Sequence, residues 1–376
     1  MSLDRENIET LIDWIQLIGS ENIGPITFFK LIQKYGSANR AIKAIETGEK
    51  TPGRKIALMK RDDAKDEYIN AKSQNVEIIP FYSNQYPQIL KEITDAPPIL
   101  YVKGDVKLLN HPHNISIVGA RNASINSRKF ASKIAFELSE NNINVISGMA
   151  RGIDSSAHKG AMFANEKKGT TIAVLGTGID EIYPEENKEL YNQIIDNGLL
   201  VSELPMGTKA QTSNFPRRNR IVSGLSNGVL VVEATTHSGS LITAKVALEQ
   251  NKDIFAVPGS PTDQRASGPN KLIKDGAILT DCVNDVLNVI LSNNYQKIDD
   301  NIDNLDNLDN IPLVQEEING NEIDLILPHL SKDGVTIDEL IRVSNLSPSK
   351  TSMLILDLEM EGKIERLSGN KIALIK

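Results

Sequence analysis

The chain of 376 residues contains a single cysteine, Cys282. This excludes an internal disulfide framework and a metal cluster built from several thiolates of one chain. The first residues, MSLDRENIET, are charged, and no uninterrupted apolar run reaches the roughly 18 residues that a membrane span needs. These absences predict a protein of the reducing cytoplasm that has no metal site, is not exported and does not enter a membrane.

Basic residues are also outnumbered by acidic ones, 41 against 49, which gives a formal net charge of −8. Phosphate binding depends on clustered Lys and Arg, so this value alone argues against a nucleic-acid partner. However, the whole excess falls within residues 296–324, which hold nine acidic residues and one basic residue, Lys297. The rest of the chain is balanced, and a basic surface remains available there. The run DNIDNLDNLDN in this segment predicts an acidic flexible linker over residues 293–320.

Short apolar runs alternate with helical patterns through the middle of the chain. The runs are ISIVG, NVISG, TIAVLG, LLVSE, GVLVVEA and DIFAVPG. Runs of this kind suit strands that are covered on both faces, and their alternation with helices implies a parallel sheet with right-handed crossovers. The pattern predicts an α/β, Rossmann-like, doubly wound and mainly parallel sheet over residues 76–292. Its ligand site is expected at the carboxyl ends of the strands.

The two ends of the chain have different patterns. Residues 1–72 read as short helices punctuated by glycine, which predicts a small helix-hairpin-helix (SAM-like) domain, either a packing module or a DNA contact. Residues 321–376 read as three helices and a hairpin, which predicts a winged helix. Its third helix carries Asp357, Glu359 and Glu361, so a protein contact and a weak DNA contact both stay open.

Two loops that follow predicted strands combine glycine with arginine. The first, VGARNAS, offers Gly119 and Arg121, and the second, SGMARGIDSSAH, offers Ser147, Gly148, Arg151 and Gly152. A glycine turn, a helix N-terminus and a guanidinium together suit an anion such as phosphate. Neither the three-glycine dinucleotide fingerprint nor a Walker A sequence occurs. His158 lies among small residues with no cysteine and no serine in a nucleophile-elbow context, so we interpret it as packed rather than catalytic.

The stretch NFPRRNRIVSG concentrates arginine beside an aromatic residue. Basic groups interleaved with a ring are typical of single-stranded nucleic acid binding, because charge meets the backbone and the ring stacks on a base. The pattern predicts a loop in which Phe215 stacks, Arg217 binds phosphate, Arg218 is undecided and Arg220 turns inward to Glu203 or Glu233. The nearby candidates for the same surface are Lys209, Asn219, Ser238, Gly239 and Ser240.

These motifs stand in the order and spacing of the DNA-processing protein A family, also called Smf, which the chain resembles most specifically over residues 86–281. The resemblance implies a non-enzymatic protein without a cofactor that binds single-stranded DNA, dimerises through the Rossmann-like domain and loads a RecA-type recombinase in natural transformation. It assigns Arg121 to the family's phosphate loop and Phe215 to its base-contacting aromatic. Arg217, Asn219 and Arg220 match the FPxRNR motif, and 238–240 match its SGS helix start.

One position departs from the family and one alternative function stays open. Several family members have a basic residue three or four positions before the phenylalanine, where this chain has Gln211 and Thr212, so the comparison with the family implies weaker single-strand affinity here. The alternative is a nucleotide-binding enzyme or sensor related to the Rossmann-like phosphoribohydrolases. Those proteins carry a Gly-Gly-x-Gly-Thr loop with a catalytic glutamate nearby, whereas this chain has THSGSLITA.

Overall fold

The computed structural model describes residues 2–49, 56–164, 169–236, 238–299, 326–331, 334–344 and parts of 351–374. Contacts divide the chain into two units, Met1–Asn301 and Ile302–Lys376. Within the described ranges, no helix is both long and apolar enough to cross a membrane.

The first unit begins with four helices: α1 (Ser2–Ile18), α2 (Pro25–Tyr35), α3 (Ala38–Glu46) and α4 (Arg61–Ser73). Helix α2 starts with proline, whose fixed φ suits the first helical turn, and ends at Gly36, which adopts a φ of 81°. The Ser37 side chain caps α3 by accepting a hydrogen bond from the Arg40 N–H. The predicted N-terminal helices are therefore present.

A nine-stranded sheet follows, in the order β1-β2-β6-β5-β4-β3-β7-β8-β9. Its strands are β1 (Glu77–Pro80), β2 (Ile99–Gly104), β3 (Asn114–Val118), β4 (Asn144–Ser147), β5 (Thr171–Val174), β6 (Leu199–Ser202), β7 (Gly228–Val231), β8 (Asp253–Ala256) and β9 (Ile278–Leu279). Strands β3 to β9 pair in parallel, whereas β1 and β2 add an antiparallel edge. The predicted doubly wound, mainly parallel sheet is confirmed.

The helices that follow these strands are α5 (Gln88–Lys91), α6 (Ile125–Glu140), α7 (Ile153–Met162), α8 (Lys188–Asn197), α9 (Asn214–Gly224), α10 (Gly239–Glu249), α11 (Ser267–Lys274) and α12 (Val283–Asp299). They cover both faces, because alternate strand residues belong to different cores. Val229 and Val231 pack in the core that contains residues of α9 and α10. Leu230 packs in the core that contains residues of α6, α7 and α12. Burial on both faces explains why these strands are short continuous apolar runs.

Helices α1 to α4 share a core with one end of the sheet. Trp14 and Phe28 belong to the same buried cluster as Tyr101 and Ala173. Trp14 is buried there. Helix α12 ends at Asp299, which corrects the start of the predicted linker because residues 293–299 are helical; residues 300–320 lie outside the described ranges.

The second unit has the elements of a winged helix. Strands β10 (Val335–Thr336), β11 (Ile364–Leu367) and β12 (Lys371–Leu374) form an antiparallel sheet in the order β10-β12-β11, and α13 spans Ile337–Ser344. Of the first predicted helix, the described part is a 3-10 turn at Leu327–His329. Of the third, Leu354, Ile355 and Leu358 are helical and buried in this unit's core, while Asp357 and Glu361 lie outside the described residues.

Candidate nucleic-acid interface

The order of strands in the sheet reverses between β3 and β7, which pair in parallel. From β3 the chain continues to β4 on one side of this pair, and from β7 it continues to β8 on the other side. Open α/β sheets bind ligands at such a switch point, beyond the carboxyl ends of the strands. A groove of about 510 Å³ lies there. It is lined by the loop after β3, the start of α10 and one side of α9, and the lining includes Gly119, Arg121, Phe215, Arg218, Asn219, Ser238, Gly239 and Ser240.

Hydrogen bonds tie the two walls of this groove together. The Ser240 hydroxyl donates to the Gly119 carbonyl at 2.9 Å. The Ser124 N–H donates to a Glu233 carboxylate oxygen at 2.9 Å. Ser238 caps α10 by accepting from the Ser240 N–H. The loop that carries the arginine and the helix start that follows β7 are thus held in fixed positions relative to each other.

The glycines of the two predicted anion loops serve packing. A Cβ on Gly119 would lie 2.5 Å from Cγ1 of Ile153, so only glycine lets the loop close on α7. Gly152 has a φ of 78°, and a Cβ there would meet the carbonyls of Ala120 and Arg121. A Cβ on Gly148 would collide with the Arg218 guanidinium. These glycines make room for neighbouring protein atoms, which is a more specific role than the sequence indicated.

The arginine-rich stretch is a helix, which corrects the predicted loop. Helix α9 begins at Asn214, and Pro216 lies in its first turn, where a missing N–H costs nothing. Residues three or four apart share a face of a helix, so Phe215, Arg218 and Asn219 line the groove together. The loop prediction was wrong because Pro216, two residues after the first residue of α9, has the appearance of a turn signal in the sequence.

Phe215 is the centre of the groove wall. The Arg121 guanidinium carbon lies 5.6 Å from the centre of its ring, which is within the range of a cation–π contact. The ring of Tyr183 lies 5.3 Å from it, centre to centre, at an angle of 37°. A Cβ on Gly176 would lie 2.8 Å from Cδ1 of Phe215, so this glycine lets the ring settle on the sheet edge. Phe215 and Arg121 therefore meet, as the pattern of charge beside a ring requires.

Arg218 is buried, with 6% of its surface exposed, and its Nη1 donates to the Val174 carbonyl. Burial lowers the pKa of this guanidinium to about 10, partly opposed by the nearby Asp154 carboxylate. Burial likewise raises the pKa of Asp154, and Arg218 acts against that shift. Arg218, which the sequence left undecided, is thus a buried cation at the floor of the groove, with one of its N–H groups bound to the sheet.

Arg220 turns inward, and of the two predicted partners the structure selects Glu203. Arg220 Nη2 pairs with a Glu203 carboxylate oxygen, and its Nε lies 3.1 Å from Oδ2 of Asp95. Glu233 instead holds the Ser124 N–H. Burial raises the pKa of Glu203, an effect that the positive charge of Arg220 opposes. Arg220 also matches the FPxRNR motif of the DNA-binding family, and its buried ion pair directs the guanidinium away from the groove of Phe215.

Arg217 is exposed but does not line the groove of Phe215. It borders a separate cavity of about 940 Å³ together with Gly24, Pro25, Asp95 and Arg220. Two positions along a helix differ by roughly 200° in direction, which accounts for the separation. Arg217 could bind phosphate only if the DNA strand passed over α9, from the groove of Phe215 to the cavity that Arg217 borders.

The remaining predicted residues are scattered. The Ser147 hydroxyl is buried and donates to the Ile117 carbonyl at 2.6 Å, so it does not line the groove. Arg151 Nε lies 3.4 Å from a carboxylate oxygen of Glu186. Arg151 borders a small cavity next to the groove, of about 30 Å³, that also touches Arg121 and Phe215. Lys209 is exposed and lines neither cavity.

His158 is fully buried, as the sequence interpretation required. Its Nδ1 is 2.7 Å from the Thr171 hydroxyl oxygen, and that hydroxyl donates its own hydrogen to the Val145 carbonyl. The imidazole therefore donates from Nδ1 and is neutral. Burial, with a smaller effect of Arg218, lowers its pKa to about 3.

Sequence reasoning missed Tyr183 as a groove residue. Tyr183 lines both the groove and the small cavity. The signal that could have found it is its place in a loop after β5, since such loops open onto the ligand edge of the sheet.

The fold and this groove define a Rossmann-like binding protein whose switch point presents a cation and an aromatic ring. Comparison with family models places the chain within that class. The model for DNA recombination-mediator protein A matches residues 77–291, the one for the DprA-like N-terminal HHH domain matches 9–70, and the one for the DprA winged helix domain matches 321–370.

Related proteins agree with this match. The chain is 32% identical to Protein Smf of Synechocystis over 95% of this chain and 96% of the relative. It is 42% identical to DNA processing protein DprA of Bacillus subtilis over 60% of this chain and 75% of the relative. The solved structure of DNA processing protein A from Streptococcus pneumoniae covers 75% of this chain, and this chain covers 96% of it, with a TM-score of 0.63 and 32% identity.

A second solved structure comes from Helicobacter pylori and is described as showing the single-stranded DNA binding mode of DNA processing protein A. It is 29% identical with a TM-score of 0.53, covering 58% of this chain and 96% of the other. The chain therefore belongs to the DNA-processing protein A (Smf) family, and the resemblance seen in its sequence is confirmed.

Proposed function

We propose that the chain is a non-enzymatic single-stranded DNA-binding protein whose groove at the switch point holds the strand. The observation that carries the proposal is the contact between the Arg121 guanidinium and the Phe215 ring in an open groove. Charge attracts the phosphates, and a ring face stacks on bases of any sequence. The Helicobacter pylori relative described as a single-stranded DNA binder supports the same assignment.

Binding of oligo-dT by the full chain, measured by fluorescence anisotropy over a range of salt concentrations, tests this proposal. Arg121→Ala should weaken binding and reduce the slope of log affinity against log salt by about 0.7, the share of one phosphate contact on a single strand. Phe215→Ala should weaken binding without changing that slope, because stacking releases no counterion. Unchanged binding in both variants would show that the groove is wrong.

Matched controls separate these effects from general loss of charge or aromatic surface. Lys72 lies exposed in the last turn of α4 and lines neither of the two cavities at the switch point, so Lys72→Ala should bind like the wild type. Phe163 is 73% exposed and borders another surface groove, so Phe163→Ala should do the same. Duplex DNA of the same length should bind more weakly than oligo-dT, because paired bases offer no free face to stack on.

The absence of catalysis is part of the proposal. Among the described residues that line the groove, Asp154 alone carries a carboxylate. This carboxylate accepts a hydrogen bond from the Ala150 N–H at 3.2 Å. A buried carboxylate held in this way is poorly placed as a general base. Incubation of the purified chain with nucleoside monophosphates should release no free base, and such release would favour the phosphoribohydrolase alternative.

Membership of the family supports three further parts of the proposal, which concern the recombinase partner, the homodimer and the cellular compartment. We place the protein in the cytoplasm, where it would load a RecA-type recombinase on incoming DNA during natural transformation, and we infer a homodimer formed through the Rossmann-like domain. Edge strand β9 exposes Leu279 at 47%, and an uncovered apolar edge favours pairing. Light scattering should give twice the mass of the chain. Recombinase loading should appear as faster filament assembly on DNA coated with single-strand-binding protein.

A further inference from the structure

Tyr183 is a large ring that stays open to solvent in the groove. It is 45% exposed although its ring contacts Phe215. No hydrogen bond of its hydroxyl occurs within the part of the chain that the structure describes. A ring that only filled space would be covered by its neighbours, whereas this one leaves much of its surface available to a ligand.

Tyr183 and Arg121 both contact the Phe215 ring. The Arg121 guanidinium contacts the Phe215 ring at 5.6 Å, and the Phe215 ring contacts the Tyr183 ring at 5.3 Å. All three line the groove and the small cavity beside it. One ring offers a stacking surface for one base, so two neighbouring rings offer surfaces for two bases of the same strand.

We propose that Tyr183 forms a second nucleobase-stacking subsite, which holds the base next to the one at Phe215. The inference rests on the proposed single-strand binding and adds a residue that the FPxRNR motif does not contain. Stacking tolerates any base because every base has a π face, so the subsite adds affinity without sequence preference.

Oligo-dT and a strand of the same length built entirely of abasic sites test the subsite in the full chain. Tyr183→Ala should weaken oligo-dT binding by between about fivefold and about 100-fold, the range reported for loss of one stacked base. The salt slope should stay unchanged, and Tyr183→Phe should bind within about twofold of the wild type because the ring remains. On the abasic strand, Tyr183→Ala and the wild type should bind equally.

A positioning role would give a different result. If Tyr183 merely held Phe215 in place, adding Tyr183→Ala to Phe215→Ala would cause no further loss on oligo-dT. The proposal expects a further loss in this double variant. Equal affinity of Phe215→Ala and the double variant for oligo-dT would overturn it. An equal loss of affinity by Tyr183→Ala on abasic and normal strands would do the same.

Failure of the subsite can be told apart from failure of the groove. If Arg121→Ala and Phe215→Ala lose affinity while Tyr183→Ala binds oligo-dT like the wild type, the subsite is wrong and the groove stands. If all three bind like the wild type, the proposed function itself falls. Phe163→Ala, which removes an exposed ring elsewhere, should show no loss in any arm.

Discussion

Replacing Arg220 with methionine removes the cation of a buried ion pair and keeps a side chain of similar length. Arg220 pairs with Glu203 and lies near Asp95, and the side chains of Arg220 and Glu203 are each 10% exposed. The variant leaves the largely buried Glu203 carboxylate without its ion-pair partner. Burial already raises the pKa of Glu203 against the opposing charge of Arg220, so removal of that charge raises it further.

We expect Arg220→Met to lower the free energy of unfolding by about 3–5 kcal/mol, the usual cost of leaving one member of a buried pair behind. This is a large part of the roughly 5–15 kcal/mol that holds a typical domain folded. Replacing both members by apolar residues, as in Arg220→Met with Glu203→Leu, should recover much of the loss because no buried charge is then left unpaired.

Urea unfolding followed by circular dichroism measures the effect, with Arg217→Met as the matched control. Arg217 is exposed on the same helix, and solvent screens the effect of its charge on Glu203, so its variant should lose no more than about 1 kcal/mol relative to the wild type. Equal stability of the Arg217 and Arg220 variants would refute the assignment of Arg220 to the interior.

Two further predictions follow from the groove and the core. Glu186→Gln should free Arg151 from its half-exposed ion pair and raise oligo-dT affinity by about twofold to threefold at low salt. The control Glu189→Gln should leave oligo-dT affinity unchanged. Equal affinities of Glu186→Gln and the wild type would mean that Arg151 contacts no phosphate. His158 has its pKa lowered from 6.5 to about 3, so only the unfolded chain gains this proton as pH falls below about 6.5, and stability is lost in that direction. Between about pH 7.5 and about pH 5.5, His158→Gln should lose about 1.4 kcal/mol less than the wild type in urea unfolding, and parallel losses would show that the histidine titrates normally.

The sequence predicted the six central parallel strands well because each is a run of apolar residues covered on both faces, a pattern that needs no knowledge of neighbours. It did not identify β1, β2 and β9, the strands at the two ends of the sheet order, which are partly polar or only two residues long. It also read α9 as a loop, because Pro216 is a local turn signal while the packing of Ile221 and Val222 that stabilises the helix is tertiary.

The site shows the same division. Arg121 and Phe215 could be chosen from their residue types and from family motifs, and the structure brings them into contact. Tyr183 could not be chosen, because its value depends on a ring that lies more than thirty positions away in the chain. Which arginine faces the groove could not be decided either, since a helix and a loop direct neighbouring side chains differently.

The sequence by itself determined that this chain forms a doubly wound sheet with a ligand edge, and that glycine, arginine and an aromatic residue gather along that edge. Local apolar patterns and residue chemistry are sufficient for those conclusions. Only the tertiary structure decided that Arg218 is buried, that Glu203 rather than Glu233 pairs with Arg220, that Arg217 faces another cavity, and that Tyr183 contacts Phe215. Direction and burial depend on what packs against a side chain, and those neighbours come from distant parts of the chain.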